Sequence, residues 1–469
     1  MSSISASKFN AENSVKIGSA TIMNDGTSIN LPLGSQIDGV TMIPVSAFDI
    51  QSTAAGVLTN TNGNYNTSFG YKTLNANTNG YSNSVFGQSA MLKNTSGNNN
   101  TAIGINSLLY NETGTWNIAV GTNTSYNNIE NNYTIAIGGT ALQENKSDNV
   151  VAIGHGALRT NTTGTNHTAI GHKTLEFNIG NDNTAIGYQT LQYNTSGSNN
   201  VAIGYEAGAT ATGSNNTAVG YQAGLTGSGS NNTCLGYNSL LKNTSSSITA
   251  VGASALENNT TGEFNTAVGY QALRGNDIGA KNTAVGYQAL NNNSGGNRVN
   301  NVAVGYRALF NNQANHNIGI GKDALLNNDN GANNIAIGSD SLLGCTGDYN
   351  IAIGRNSGGT ITYGNDNVCI GGAADVSSGD AVNRIAIGRN SSCTVNHSAV
   401  IGNGNIAIVK TGGGSGGPLN LASIQTGSGS PATANVPVDF VGQLYIDTAA
   451  QEAYIAIGVT NGDWKKITP

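Results

Sequence analysis

The chain reads as an all-β protein: a parallel β-solenoid (β-roll) of about 21 coils of 16–17 residues, with a small β module at each end. Three observations predict this. First, a phrase such as "NTAVGYQAL" (265–273, and again 282–290) recurs along the chain. Aligned on its glycine, it gives 21 copies from Gly70 to Gly402, spaced by 16 or 17 residues except for one gap of 19 and one of 14. Repeats at a fixed short period mark stacked architectures. Second, the residue before the glycine is apolar in every copy, and the third residue before it is mostly Thr, Val or Ile, with Ala between them. Third, the 469 residues include 65 Gly but only 6 Pro, and just 9% are charged, against about 25% in ordinary globular chains. A disordered chain shares such polarity but lacks fixed apolar positions.

Each element of a unit follows from its residues. A central glycine and a terminal Asn/Gly/Ser cluster argue against a helix. Period-two alternation with β-branched residues predicts a short strand, as in Thr101–Ile103 or Val151–Ile153. The branched face is expected to fill the core. The Ala/Gly face is small enough for another backbone to approach. After the glycine, "YxAL" predicts a second short strand with Leu108, Leu158, Leu240 and Leu325 pointing inward. An Asn-rich turn then leads to the next unit. One unit cannot bury its own apolar face, so neighbours stack on it. At about 4.8 Å per coil the stack is roughly 100 Å long, and the turn asparagines form ladders between coils.

Four segments follow: an N-terminal attachment or capping module (1–50), the solenoid (51–408), a Gly/Ser-rich linker (409–434; "KTGGGSGGP", "TGSGSP") and a C-terminal β module (435–469). Solenoid ends expose unpaired strand edges, which the terminal modules are expected to cap.

The phrases "NxAIGxxA" and "NTAVGYQAL" resemble the head repeats of trimeric autotransporter adhesins over about residues 60–408. The resemblance implies a left-handed β-roll, a homotrimer around a threefold axis and binding to host surfaces, with the Ala/Gly face as the chain–chain contact. The present repeats are longer than that family's. The N-terminus "MSSISASKFNAENSVKIG" shows no export signal, and neither a heptad stalk nor a membrane-barrel anchor is seen. The ends, "ENSVKIGSATIMNDGTSINLPLGSQIDG" (12–39) and "VGQLYIDTAAQEAYIAIGVTNGDWKKITP" (441–469), look like end modules of bacteriophage and other viral fibre proteins. That resemblance implies a trimeric virion fibre, with other virion proteins and a host-surface glycan or protein as partners. The alternatives are a non-viral cell-surface adhesin or extracellular filament subunit, and a polysaccharide depolymerase tailspike.

Candidate contact residues are aromatic. The slot after the glycine holds Tyr188, Tyr205, Tyr221, Tyr237, Tyr270, Tyr287 and Tyr306, which stacking would align in a column. That column is either an exposed strip for sugar rings or a structural ladder. The C-terminal module carries Tyr445, Tyr454 and Trp464, either receptor contacts or the core of a small cap.

The remaining chemistry is sparse. His155 and His172 share the Tyr slot, but two histidines without a third ligand are a weak metal signal. All five histidines, His167, His316 and His397 included, are expected at the surface. Cys234 and Cys369 stand in the Ala slot as small buried residues. "GIGKDAL" (319–325) lacks the spacing of a phosphate loop. Asp329 and Asp348 are the nearest thing to a glycosidase carboxylate pair, and no catalytic triad stands out. The expectation is no enzyme, no metal and no cofactor. A net charge of −6 offers no basic footprint for nucleic acid, and no run of about 18 apolar residues predicts a membrane span. Asn-x-Ser/Thr sequons at Asn94, Asn161, Asn194, Asn243 and Asn259 fall in the turns.

Overall fold

The computed structural model describes residues 65–403 continuously, together with the strand segments 15–17, 20–24, 29–30, 36–37, 40–41, 52–55, 425–427, 444–447, 452–456 and 464–466. The described residues contain no helix and build a parallel β-solenoid of about 20 turns. The chain divides into two compact units, residues 1–300 and 301–469.

In the first unit, one short strand per coil, from Ser52–Ala55 to Thr283–Val285, pairs in parallel with the strand of the next coil. The register is that of the repeat: Ala102 pairs with Ala119 and Ala119 with Ala136. The second unit repeats the arrangement from Val302–Val304 to Ser398–Ile401. At the N-terminus, Val15–Ile17, Ala20–Asn24 and Ile29–Asn30 form an antiparallel sheet. At the C-terminus, Leu444–Asp447, Glu452–Ala456 and Trp464–Lys466 do the same. Gln425–Gly427, inside the predicted linker, joins that sheet by pairing in parallel with Leu444–Asp447.

The strand faces are the reverse of the expectation. Ala102, Ala119, Ala136 and Ala152 are fully buried, whereas Ile103, Ile118 and Ile137 are each about 40% exposed. The coil interior is the reason. Where Gly319 occupies the Ala slot, an added Cβ would lie 3.0 Å from Leu309 Cγ, so a single methyl already reaches the opposite wall. A branched side chain has no room there and turns outward. The Ala face is therefore the core, not a chain–chain contact.

The second strand is also corrected. In most coils the segment after the glycine is a turn. Leu108 and Asn106 sit at φ 49° and 56°, left-handed conformations that cost a non-glycine residue roughly 1–2 kcal/mol. This bend aims Leu108 into the core, fully buried as expected, while its N–H donates to Thr124 O at 3.0 Å in the next coil. Asn106 N–H donates to Gln88 O in the preceding coil at 2.9 Å. Strained residues persist because bonds to both neighbours over-determine them. Two-residue strands follow the turn at Thr210–Ala211, Asn311–Asn312 and Asp375–Val376.

All 21 repeat glycines have positive φ. At Gly87 φ is 134° and an added Cβ would stand 2.5 Å from Gly104 O. The backbones of successive coils touch at this slot, which excludes any side chain.

Buried asparagines stack in two ladders. In the first, four residues before the glycine, Asn83 N–H and Asn100 N–H donate to Asn66 Oδ1 and Asn83 Oδ1 at 2.9 and 3.0 Å. In the second, seven residues after it, Asn94 Nδ2 and Asn111 Nδ2 donate to Asn77 Oδ1 and Asn94 Oδ1 at 2.7 and 2.9 Å. Each rung satisfies polar groups that burial would otherwise leave unpaired. Arg384 ends the first ladder: its Nε donates to Asn396 Oδ1 at 2.6 Å and its guanidinium to Ser377 Oγ at 3.1 Å.

Candidate functional site

Two lines of side chains face outward on the solenoid. One is the apolar stripe on the strands, which includes Phe69, Phe86, Ile103, Val201 and Ile203, all exposed. Parallel in-register pairing places equivalent residues one above the other, so the stripe follows from the repeat itself.

The other is a ring column in the slot after the glycine. His155, His172, Tyr188, Tyr205, Tyr221 and Tyr237 stack in order, with centroids 5.5, 5.2, 5.1, 5.1 and 5.2 Å apart and planes within 13° of parallel. Tyr270 and Tyr287 stack at 5.3 Å. In the second unit the guanidinium of Arg307 lies 5.1 Å from the ring of Tyr306. The tyrosines are 41–55% exposed. Within a stacked run each ring covers its neighbours' faces and leaves its edge to solvent. The column is thus a ring ladder, and it offers a free face only where the run is interrupted. Electrostatics reinforce its polar edge. The hydrogen bond to Glu206 holds the Tyr205 phenol above its usual pKa, and Glu206 in turn accepts from Gln222 Nε2 at 2.7 Å.

At the C-terminus, Tyr445 and Tyr454 are register partners on neighbouring strands, and Trp464 pairs with Ala456. Tyr454 is half-buried.

His155 and His172 are members of the ring stack, and His316 and His397 are exposed. His167 corrects the surface expectation. It is 1% exposed and takes the place of an asparagine in the first ladder, where Asn183 N–H donates to its Nδ1 at 3.2 Å. Burial pushes its pKa down to about 4. Cys234 and Cys369 are buried in the Ala slot as expected, and burial pushes both thiols up to about 12. The sequon asparagines Asn94, Asn161, Asn194, Asn243 and Asn259 are buried ladder rungs, closed to glycan attachment.

In "GIGKDAL", Gly321 and Leu325 keep their repeat roles, and Lys322 Nζ pairs with Asp323 at 2.7 Å. Asp348 Oδ1 accepts the Ala332 N–H at 2.7 Å, and Asp329 is exposed. Among the described residues no group of three or more His, Cys, Asp or Glu is placed to hold a metal ion.

A further set of exposed aromatics was not singled out from sequence. Trp116, Tyr133, Phe264 and Tyr349 are 56–60% exposed and stand five residues before the repeat glycine. That slot is left-handed, φ 56–60° at these four, and elsewhere often holds Asn, as at Asn99, Asn149 and Asn199. Bulky rings in an Asn slot are the signal that an alignment on the glycine contains. Neither the scan of protein-family models nor the search of curated proteins finds a match to this chain.

Proposed function

We propose that this chain is a structural fibre or spike protein of a virion. It works as a homotrimer and serves attachment, to the host surface or to other virion proteins, rather than catalysis. The observation that carries the reading is the outward apolar stripe, which repeats coil after coil with Phe69, Ile103, Val201 and Ile203 exposed. A contiguous apolar surface of this kind calls for a protein partner. A second copy presents the same stripe with the same spacing, so copies match coil by coil. The resemblance of the repeats to trimeric adhesin heads and of the ends to viral fibre modules supports three copies and the virion. The repeat's low charge and the continuous backbone pairing suit a protein exposed outside the cell.

Two measurements on the full chain test the reading. Sedimentation is expected to give three times the chain mass, and a monomer would sink the trimer. Immunogold electron microscopy on lysates of the source is expected to place the label at a fixed position on particles. Label on cell envelopes with bare particles would replace the virion assignment with a cell-surface adhesin.

A further inference from the structure

The ring column of the first unit misses one rung, and that gap has the properties of a ligand site. Tyr237 and Tyr270 are column members two coils apart, and the coil between them places Ala253 in the ring slot. Backbone bonds prove the alignment. Ser254 N–H donates to Tyr237 O at 2.8 Å, and Gln271 N–H donates to Ala253 O at 2.9 Å. The strand Thr249–Val251 pairs in register with both neighbours. Ala253 therefore lies directly between two tyrosines, each of which stacks on its other side, on Tyr221 and Tyr287 respectively. The faces turned toward Ala253 have no ring against them. Tyr237 is accordingly the most exposed of the seven column tyrosines, at 55%.

Two coil steps put the centroids of these two rings about 10 Å apart, twice the 5.1–5.3 Å spacing of the stacked rungs, so the gap has room for one ring. A pyranose ring with axial C–H bonds on both faces fits such a slot, and its C–H groups meet the negative faces of the two rings. The polar neighbours are uncharged. Asn238, Ser254 and Gln271 follow the three column positions in sequence.

We infer that the missing rung at Ala253 is a glycan-binding site, in which one uncharged pyranose ring is sandwiched between Tyr237 and Tyr270. This deepens the attachment reading above and rests on it for the kind of ligand.

The test uses the purified full chain on a printed array of defined microbial and animal oligosaccharides, with two variants. Ala253→Tyr completes the column with the residue the slot already holds in eight other coils, so the fold has a precedent for it. Binding of the hit glycans is expected to fall roughly tenfold or more. Tyr221→Ala removes a ring between Tyr205 and Tyr237 and opens a second missing rung. It is expected to keep binding or increase it. Wild-type binding that survives Ala253→Tyr places the sugar elsewhere and overturns the inference. So does an array without hits, or capture of a tyrosine- or tryptophan-rich peptide at the gap in place of any glycan. None of these outcomes touches the sedimentation result or the particle labelling, so the attachment reading stands or falls separately.

Discussion

Coils around Gly138 and Gly154 and coils around Gly204 and Gly220 share one backbone plan but differ inside. The first pair carries Leu142 and Leu158 four residues after the glycine and Asn145 and Asn161 seven after, all fully buried. The second pair has Gly208 and Gly224 in the Leu slot and Ala211 and Gly227 in the Asn slot. A cavity of about 30 Å³ remains there between Leu191 and Leu240, room for about one water. An added Cβ at Gly224 would meet Cys234 Sγ at 2.9 Å, so this sulfur, in a slot that usually holds Ala, occupies part of the space a leucine would take. The emptied coils gain something in return. Gly208 and Gly224 adopt φ 58° and 57° without the strain a leucine bears, and the neighbouring Thr210–Ala211 and Thr226–Gly227 pair as parallel strands. The first Asn ladder continues unbroken, with Asn216 and Asn232 N–H each donating to the previous Oδ1 at 2.9 Å. The shared frame is therefore the strand, the glycine and the first ladder. Leucine and the second ladder are one of two ways to close the coil.

The largest effect is expected where the two regions agree. Gly154→Ala and Gly220→Ala each put a methyl against the next coil's glycine carbonyl, at φ 135° and 137°. Strain and overpacking together amount to roughly 3 kcal/mol or more in either region. Urea unfolding with two equal, large losses supports a common frame. Tolerance at Gly220 alone would show that the emptied coils have slack in the backbone too.

A smaller effect separates the regions. Leu158→Ala should cost about 3 kcal/mol by opening a cavity in a full coil. Leu158→Gly should cost no more, because glycine relieves the left-handed strain at φ 48°, worth about 1 kcal/mol. In an ordinary helix or strand interior glycine is the worse of the two. If the glycine variant proves clearly less stable than the alanine variant by the same unfolding assay, strain at this slot is not what the emptied coils avoid.

The repeat, the coil and the stacked asparagines were legible from spacing, because a 16–17-residue phrase constrains every residue it contains. Which face of the strand points inward was not. Period two separates Ala136 from Ile135 and Ile137 but carries no sign, and the general rule that branched residues go inside fails in an interior one Ala and one Leu wide. The left-handed bend at Leu108 was hidden for a related reason: leucine does not advertise positive φ as glycine or asparagine does. Gly208 and Gly224, aligned with the leucines, were the available clue. The ring column was legible as a column. Its closed faces and the gap at Ala253 required the 5.1–5.5 Å stacking geometry.

The finest test concerns the first ladder, the element that even the emptied coils retain. His167 is its one histidine rung among the described residues. Burial holds its pKa near 4 against the pull of Asp182 and of backbone bonds, which favour the charged form. An unfolded histidine titrates near 6.5. Between these values the unfolded chain binds the extra proton, so the neutral ring's contribution is complete above about pH 6.5 and declines as pH falls. The loss is on the order of 1 kcal/mol at pH 5.5 and a few kcal/mol at pH 4. His167→Asn restores the rung used by Asn83 and Asn100 and has nothing to titrate. Carboxylates titrate in both proteins, so the informative quantity is the stability difference between variant and wild type. It should grow in the variant's favour from pH 7 to pH 5. A difference that stays constant across that range would mean that the buried ring accepts its proton as readily as an exposed one, and that the ladder yields locally at His167 without loss to the coils on either side.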